Sequence, residues 1–137
     1  MRIVLDTNVL VSGLLNPFGP AASILQLVLG RDVSLIVDHR ILLEYRDVLT
    51  RGKFRFSHAA VNALLEFIES TGEHVATKPL GASLPDPDDR PLIEAALAGA
   101  ARTIVTWNAK HFPADACQDI RVLSPEAFLR HWHTTQR

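Results

Sequence analysis

The residues with chemical potential in this chain are carboxylates placed at the borders of apolar segments. Ile3-Val4-Leu5 runs straight into Asp6-Thr7-Asn8, Glu44 lies inside the segment Ile41 to Leu49, and Pro85-Asp86-Pro87-Asp88-Asp89-Arg90-Pro91 precedes the apolar stretch Leu92 to Ala101. In an open parallel sheet, ligands bind beyond the carboxyl ends of the strands, so an acid placed there faces a crevice and not the core. Converging carboxylates repel one another unless a cation sits among them, and a divalent metal is the usual one. Each acid also has a plainer reading. Asp6 suits the cap of a following helix, and Asp86, Asp88 and Asp89 suit a Pro-rich turn at a helix start. Capping accounts for one or two of these acids, not the set.

The elements that must position them alternate as crossover helices on a parallel sheet do, which predicts an α/β fold. Strands are expected at Ile3-Leu5, Ser34-Val37, Thr103-Thr106 and Arg121-Leu123. Helices are expected over Asn8-Leu15, Ala21-Leu29, Arg40-Thr50, His58-Ser70, Leu92-Ala101 and Pro125-His131. The third and fourth of these have no strong strand between them and should pair as a helical hairpin. In the third, Ile41, Leu42, Tyr45, Val48 and Leu49 repeat at the helical period, with Glu44 on the margin of that stripe and Asp47 turned to solvent. A carboxylate on a core margin must be hydrogen-bonded, paired or metal-bound, because burying it bare is too costly. Glu94 falls off the stripe of Leu92, Ile93, Ala96 and Leu97 and is expected at the surface. Ser124 and Pro125 read as the cap and first residue of the last helix.

With 137 residues, 47% of them apolar, the chain is expected to form a single domain over 1–137. A net charge of −1 supplies no global attraction for a polyanion, so nucleic-acid binding would need a local basic patch or a metal. The single cysteine, Cys117, forms no internal disulfide and fits a reducing, cytoplasmic setting. The first residues lack the pattern of a signal peptide, and no apolar run approaches the ~18 residues that span a bilayer. No membrane partner is expected.

The order of the motifs is more specific than any one of them. Strand-Asp-Thr-Asn is followed by a helix with Glu on its inner margin, then Asp-x-x-Leu-Ile-x-Ala-Ala, then a strand ending Thr106-Trp107-Asn108. In this the chain resembles the PIN-domain family, and in particular its VapC-like members, the ribonuclease toxins of toxin-antitoxin modules. The likeness spans Leu5 to Ser12, Ile41 to Tyr45 with Val48-Leu49, Asp86 to Asp89, Val105 to Asn108, and the late Val122 to Leu129. It implies a three-layer α/β/α sandwich with a mainly parallel sheet and an acidic pocket for Mg²⁺ or Mn²⁺. By the same resemblance Asp6, Glu44 and Asp89 are the catalytic and metal-binding acids, with Asp86 flanking them. Asn8, Thr106 and Asn108 would line the pocket. The implied activity is metal-dependent hydrolysis of RNA phosphodiesters, for which no protein nucleophile is needed. A homodimer and a cognate antitoxin are the implied partners, with Phe54, Phe56, Phe67 and Trp132 as candidate contacts.

One departure from the family pattern weakens a second metal position. Many members carry a fourth acid after the late strand, where this chain has Asn108-Ala109-Lys110-His111-Phe112. An Asn carbonyl ligates a metal but adds no charge, and His111 is a candidate for a softer ion or, beside Phe112, a structural residue. RNA contact would come from Arg46, Arg51, Lys53 and Arg55 with Phe54 and Phe56 interleaved, and Arg40 and Lys110 would stand at the rim. The same segment also reads as a solvated loop with two buried rings. Two rival functions stay open at this level: a PIN-like module that binds RNA or protein without cutting, and a phosphohydrolase with an aspartyl nucleophile. The second wants an acid two residues after Asp6, where Asn8 stands. A phosphoacceptor domain would use the acid after the second strand, Asp38.

Overall fold

The elements run β1 (Arg2–Leu5), α1 (Thr7–Leu15), α2 (Pro20–Leu29), β2 (Ser34–Val37), α3 (His39–Leu49), α4 (His58–Thr71), β3 (Glu73–His74), α5 (Arg90–Ala98), β4 (Thr103–Val105), α6 (Ala114–Cys117), β5 (Arg121–Leu123) and α7 (Pro125–Thr135). They are taken from a computed structural model that describes residues 1–81 and 83–136.

Ile3, Val4 and Leu5 are fully buried, as consecutive apolar residues must be in a strand covered on both faces. That strand is the middle of a five-stranded parallel sheet ordered β3-β2-β1-β4-β5. Ile3 lies opposite Leu35 on one side, and Leu5 lies opposite Val105 on the other. The chain builds outward from β1 through β2 to β3, then returns across β1 to lay down β4 and β5. The direction therefore reverses between β1 and β4, and a crevice opens at the carboxyl ends of strands flanking such a switch point. Asp6 and Thr106 are the first residues beyond those two ends.

Helices cover both faces, giving the expected three-layer α/β/α sandwich. α5 packs on β1, β2 and β4, α4 packs on β2, and α1 packs on α2 and α3. The α3 and α4 pair contacts as anticipated. α1 approaches α2 closely because Gly13 has no side chain: a Cβ there would lie 2.6 Å from Leu25 Cδ1. Ser57 and Ser124 cap α4 and α7 by accepting from the N–H groups of Ala60 and Ala127. Among the described residues, no single helix is long and apolar enough to cross a membrane.

Several boundaries shift by a few residues, α7 running on to Thr135 and β4 stopping at Val105, and one early stop and two short elements have local reasons. α5 stops at Ala98 and not Ala101, because Ala100 adopts the left-handed conformation (φ 53°) and the Ala101 N–H turns back to Ala96 O at 2.9 Å. That is a Schellman-type ending with Ala where Gly usually stands. β3 was not anticipated, since Glu73 and His74 carry no apolar signal and pair only at the sheet edge. α6 is a single turn and was also not anticipated.

Glu94 corrects the surface expectation. It is 4% exposed, accepts from Arg40 Nη1 at 2.6 Å and from the Leu80 N–H at 2.6 Å. The connection between β3 and α5 folds back over that side of the helix: Arg40 also bonds Thr77, Arg90 donates to Leu80 O, and Leu80 and Leu84 pack on the core. Helical periodicity reports the core face and is blind to such a strap.

Candidate active site

Asp6 occupies the position of an N-cap yet does not act as one, for its side chain makes no capping hydrogen bond. Its N–H donates to Val105 O at 2.9 Å, tying β1 to β4 at their ends, and its Oδ2 accepts from Thr106 Oγ1 at 2.7 Å. Thr106 is fully buried and accepts in turn from the Asn108 N–H at 3.0 Å. Asn8 Oδ1 lies 3.4 Å from the Trp107 N–H. Asp6 and Thr106 thus meet side chain to side chain at the switch of the sheet, while exposed Asn108 joins them only through its backbone N–H and Asn8 faces the Trp107 backbone.

Glu44 arrives from α3. Asp38 starts that helix by accepting from the Ile41 N–H at 2.9 Å, and Tyr45, fully buried, fastens it to the first strand by donating its hydroxyl to Leu5 O at 2.5 Å. Glu44 is half-buried, on the margin of the stripe, and its Oε2 accepts from Thr7 Oγ1 at 2.5 Å. Asp47 is exposed and pairs with Arg51 at 3.1 Å. Asp38 also pairs with Arg40 at 2.8 Å, so the acid on which a phosphoacceptor reading leaned serves as a cap and an ion-pair partner.

The third set of acids sits on the 3₁₀ turn Pro87–Asp89. Asp86 stabilises this turn, its Oδ1 accepting from the Asp88 N–H at 2.9 Å. Asp89 precedes α5 without capping it. Its Oδ2 is buried and has no hydrogen-bond partner. A buried polar oxygen left in that state is costly, and native proteins rarely keep one without a use.

These acids act on one another. Burial raises the Asp6 carboxyl, the Thr106 hydroxyl and the nearby N–H groups of Asn8 and Thr7 oppose the rise, and Asp86 adds to it. Burial likewise raises Glu44, with Thr7 opposing and with Asp6 and Asp88 adding. Asp89 is pushed up to about 7 by burial first and then by Asp6, Asp86, Glu44 and Asp88. Arg51 opposes the rise at Glu44 as the last of its causes. A cavity of about 210 Å³ opens between α3 and the acidic turn, lined by Arg40, Ile41, Glu44, Asp88 and Leu92 among others.

Among the described residues, no three acids, histidines or cysteines are drawn together closely enough to hold a metal ion. The donor chemistry nevertheless fits one. Carboxylate oxygens are what Mg²⁺ and Mn²⁺ prefer, and the unpartnered Asp89 Oδ2, with the charges of Asp6, Asp86, Glu44 and Asp88 acting on it, belongs to a set short of positive charge.

The sequence pattern of the PIN domain matches residues 2–110. The chain belongs to the PIN-domain family. PIN domains are generally nucleases and typically use divalent metals. No curated protein matches the chain. In this PIN domain β5 and α7 lie beyond the matched residues.

Other sequence-predicted residues of the PIN domain are more dispersed. Arg46, Arg51, Lys53 and Arg55 are all exposed after or on the outer face of α3, but Arg46 donates to Asn62 and Arg51 to Asp47. Lys53 stands over the Phe54 ring, 5.0 Å from its centroid, and Phe54 stacks on Phe56 at 5.5 Å. Phe56, Phe67 and Trp132 pack against the core, so much of each ring is already used within the chain. Arg40 lines the acidic cavity as a rim residue while remaining paired to Asp38 and Glu94. Lys110 is exposed, and His111 is half-buried beside buried Phe112.

Sequence reasoning missed Thr7, Tyr45 and Trp107. Thr7 read only as a cap former, although a hydroxyl beside a conspicuous acid is also a donor. Tyr45 read as a member of the apolar stripe, and the clue was that a buried tyrosine hydroxyl needs a partner.

Proposed function

We propose that this PIN domain is a divalent-metal-dependent endoribonuclease, the toxin of a toxin-antitoxin pair. The observation that carries the reading is Asp89: a buried carboxyl oxygen without a partner, its pKa pushed up to about 7 by burial first and then by Asp6, Asp86, Glu44 and Asp88. Asp6, Glu44 and Asp89 would hold Mg²⁺ or Mn²⁺, with Asp86 flanking. When bound, such an ion polarises the phosphate and lowers the pKa of water for attack on phosphorus. The chain's own part is positioning. Thr106 fixes Asp6, Thr7 fixes Glu44, and Tyr45 holds the helix that carries Glu44 against the strand that ends in Asp6. Asn8 and Asn108 supply neutral polar groups, so the acid count on that side is low and one tightly bound ion is expected. Exposed Arg46, Arg51, Lys53 and Arg55 offer a path for the phosphate backbone. A cytoplasmic homodimer silenced by an antitoxin, with residues 1–137 as one domain, completes the proposal.

Incubation of purified protein with mixed RNA in Mg²⁺, Mn²⁺ or EDTA tests it. Cleavage should require the metal and vanish in Asp6→Asn; cutting that persists in EDTA or in that variant overturns the metal-nuclease reading. A second reading, a PIN module that binds RNA without cutting, draws on Asn108 in place of a fourth acid and on carboxylates that stand wider than a closed metal site. RNA binding without metal-dependent cleavage would favour it.

A further inference from the structure

Trp107 combines exposure with fixation. Its bulky ring is 42% exposed, although it follows directly on fully buried Thr106, the first residue beyond the carboxyl end of β4. A single exposed apolar ring is ordinary on a protein surface, and what sets this one apart is how it is held. It is fixed on two sides. The indole Nε1–H donates to Ser12 Oγ at 2.8 Å, and the backbone N–H points to Asn8 Oδ1 at 3.4 Å. The backbone just before it is locked as well, the Thr106 N–H bonding Leu123 O at 2.9 Å while the Thr106 hydroxyl bonds Asp6. The polar edge of the indole is thus satisfied by the protein itself, and what remains for a ligand is an apolar π surface in a fixed orientation, one residue from the residue that grips Asp6.

We propose that Trp107 is a stacking platform for a nucleobase of a single-stranded nucleic acid whose phosphate lies at the acids. This rests on the nuclease reading of the same site. Every base has a π face, so an immobilised aromatic beside a phosphate site binds single strands with little sequence preference. Immobilisation before binding also removes the rotamer entropy that a free side chain would lose. Phe54 and Phe56 stack on each other with Lys53 above Phe54, Trp132 packs on the core, and Phe18, 96% exposed in the turn between α1 and α2, has no hydrogen-bonding edge to fix its ring. Duplexes, whose bases are stacked internally, would gain nothing from this ring.

The test uses Trp132→Phe protein, in which Trp107 is the sole tryptophan, in Ca²⁺ buffer with short oligoadenylate, the same length of abasic phosphodiester, and a duplex. Oligoadenylate should quench the tryptophan fluorescence saturably, and the abasic strand and duplex should not. By a labelled-oligonucleotide assay in otherwise wild-type protein, Trp107→Ala should weaken binding roughly tenfold and Trp107→Phe should recover most of it. In cleavage assays Trp107→Ala should raise KM with kcat little changed. Unquenched fluorescence, equal binding of the abasic strand, or unchanged affinity of Trp107→Ala overturns the proposal. The two readings separate cleanly: cleavage with an indifferent Trp107 removes only the platform, and base-dependent quenching without cleavage removes only the nuclease.

Discussion

Thr7 and Glu44 are joined side chain to side chain, Thr7 Oγ1 donating to Glu44 Oε2 at 2.5 Å across 37 positions of sequence. The residue after one acid therefore sets the direction of the next. Removing the hydroxyl leaves a half-buried carboxylate that has lost a bond to its charged form, so its pKa rises further. Thr7→Val is expected to weaken Mn²⁺ binding by about tenfold, as loss of an outer partner of a metal ligand generally does. Calorimetric titration at neutral pH reads this, and an affinity equal to wild type would count against the role given to Thr7.

Asp89 makes stability depend on pH. Its native carboxyl titrates near 7 against an ordinary 3.8, so between those values the folded protein binds more protons than the unfolded chain. Its contribution is complete below about pH 4 and is lost as pH rises through 7. The raised carboxyls of Asp6 and Glu44 act in the same direction. Metal-free protein should melt lower at pH 8 than at pH 5.5, by on the order of 1 kcal/mol from Asp89 after solvent screening. Asp89→Asn should flatten that slope, and Mn²⁺ should restore stability at pH 8. A slope unchanged in Asp89→Asn would remove Asp89 as its source.

Tyr45 and Leu5 define a second hold. Tyr45→Phe deletes the hydroxyl that bonds Leu5 O and keeps the ring, so urea unfolding should show a loss of about 1 kcal/mol. Metal-dependent cleavage should fall as well, because the bond that ties the helix carrying Glu44 to the strand leading into Asp6 is lost. Equal activity at full metal occupancy would show that packing alone aligns the helix.

Glu94 should prove structural. Glu94→Ala leaves Arg40 with Asp38 and Thr77 as its remaining partners and leaves the Leu80 N–H unbonded, with an expected loss of about 2–4 kcal/mol. Limited proteolysis should then cut between Thr77 and Leu80 faster than in wild type. Protection equal to wild type would mean that Leu80 and Leu84 hold the strap by apolar packing alone.

The parallel sheet was legible because Ile3-Val4-Leu5 and Leu35-Ile36-Val37 are unbroken apolar runs and Thr103-Ile104-Val105 is wholly β-branched, as strands covered on both faces require. Glu44 was legible for a related reason: a carboxylate on the margin of an apolar stripe needs a purpose. Glu94 was misread because a strap from another part of the chain covers it, and helical phase carries no information about that. β3 went unseen because two polar residues at an edge owe their strand state to Ile36 and Val37 next door. The hydroxyl partners Thr7 and Thr106 show the same limit, since each is defined by an atom supplied from 37 and 100 positions away.

That hundred-residue span between Asp6 and Thr106 also dictates when the pocket can exist. β1 and α3 leave the ribosome early, but β4 must be synthesised and docked against β1 before Asp6 acquires its partner and the acids their common wall. A half-made chain carries Asp6 and Glu44 without the geometry to use them. The metal site proposed for these acids therefore cannot assemble before β4 has docked beside β1.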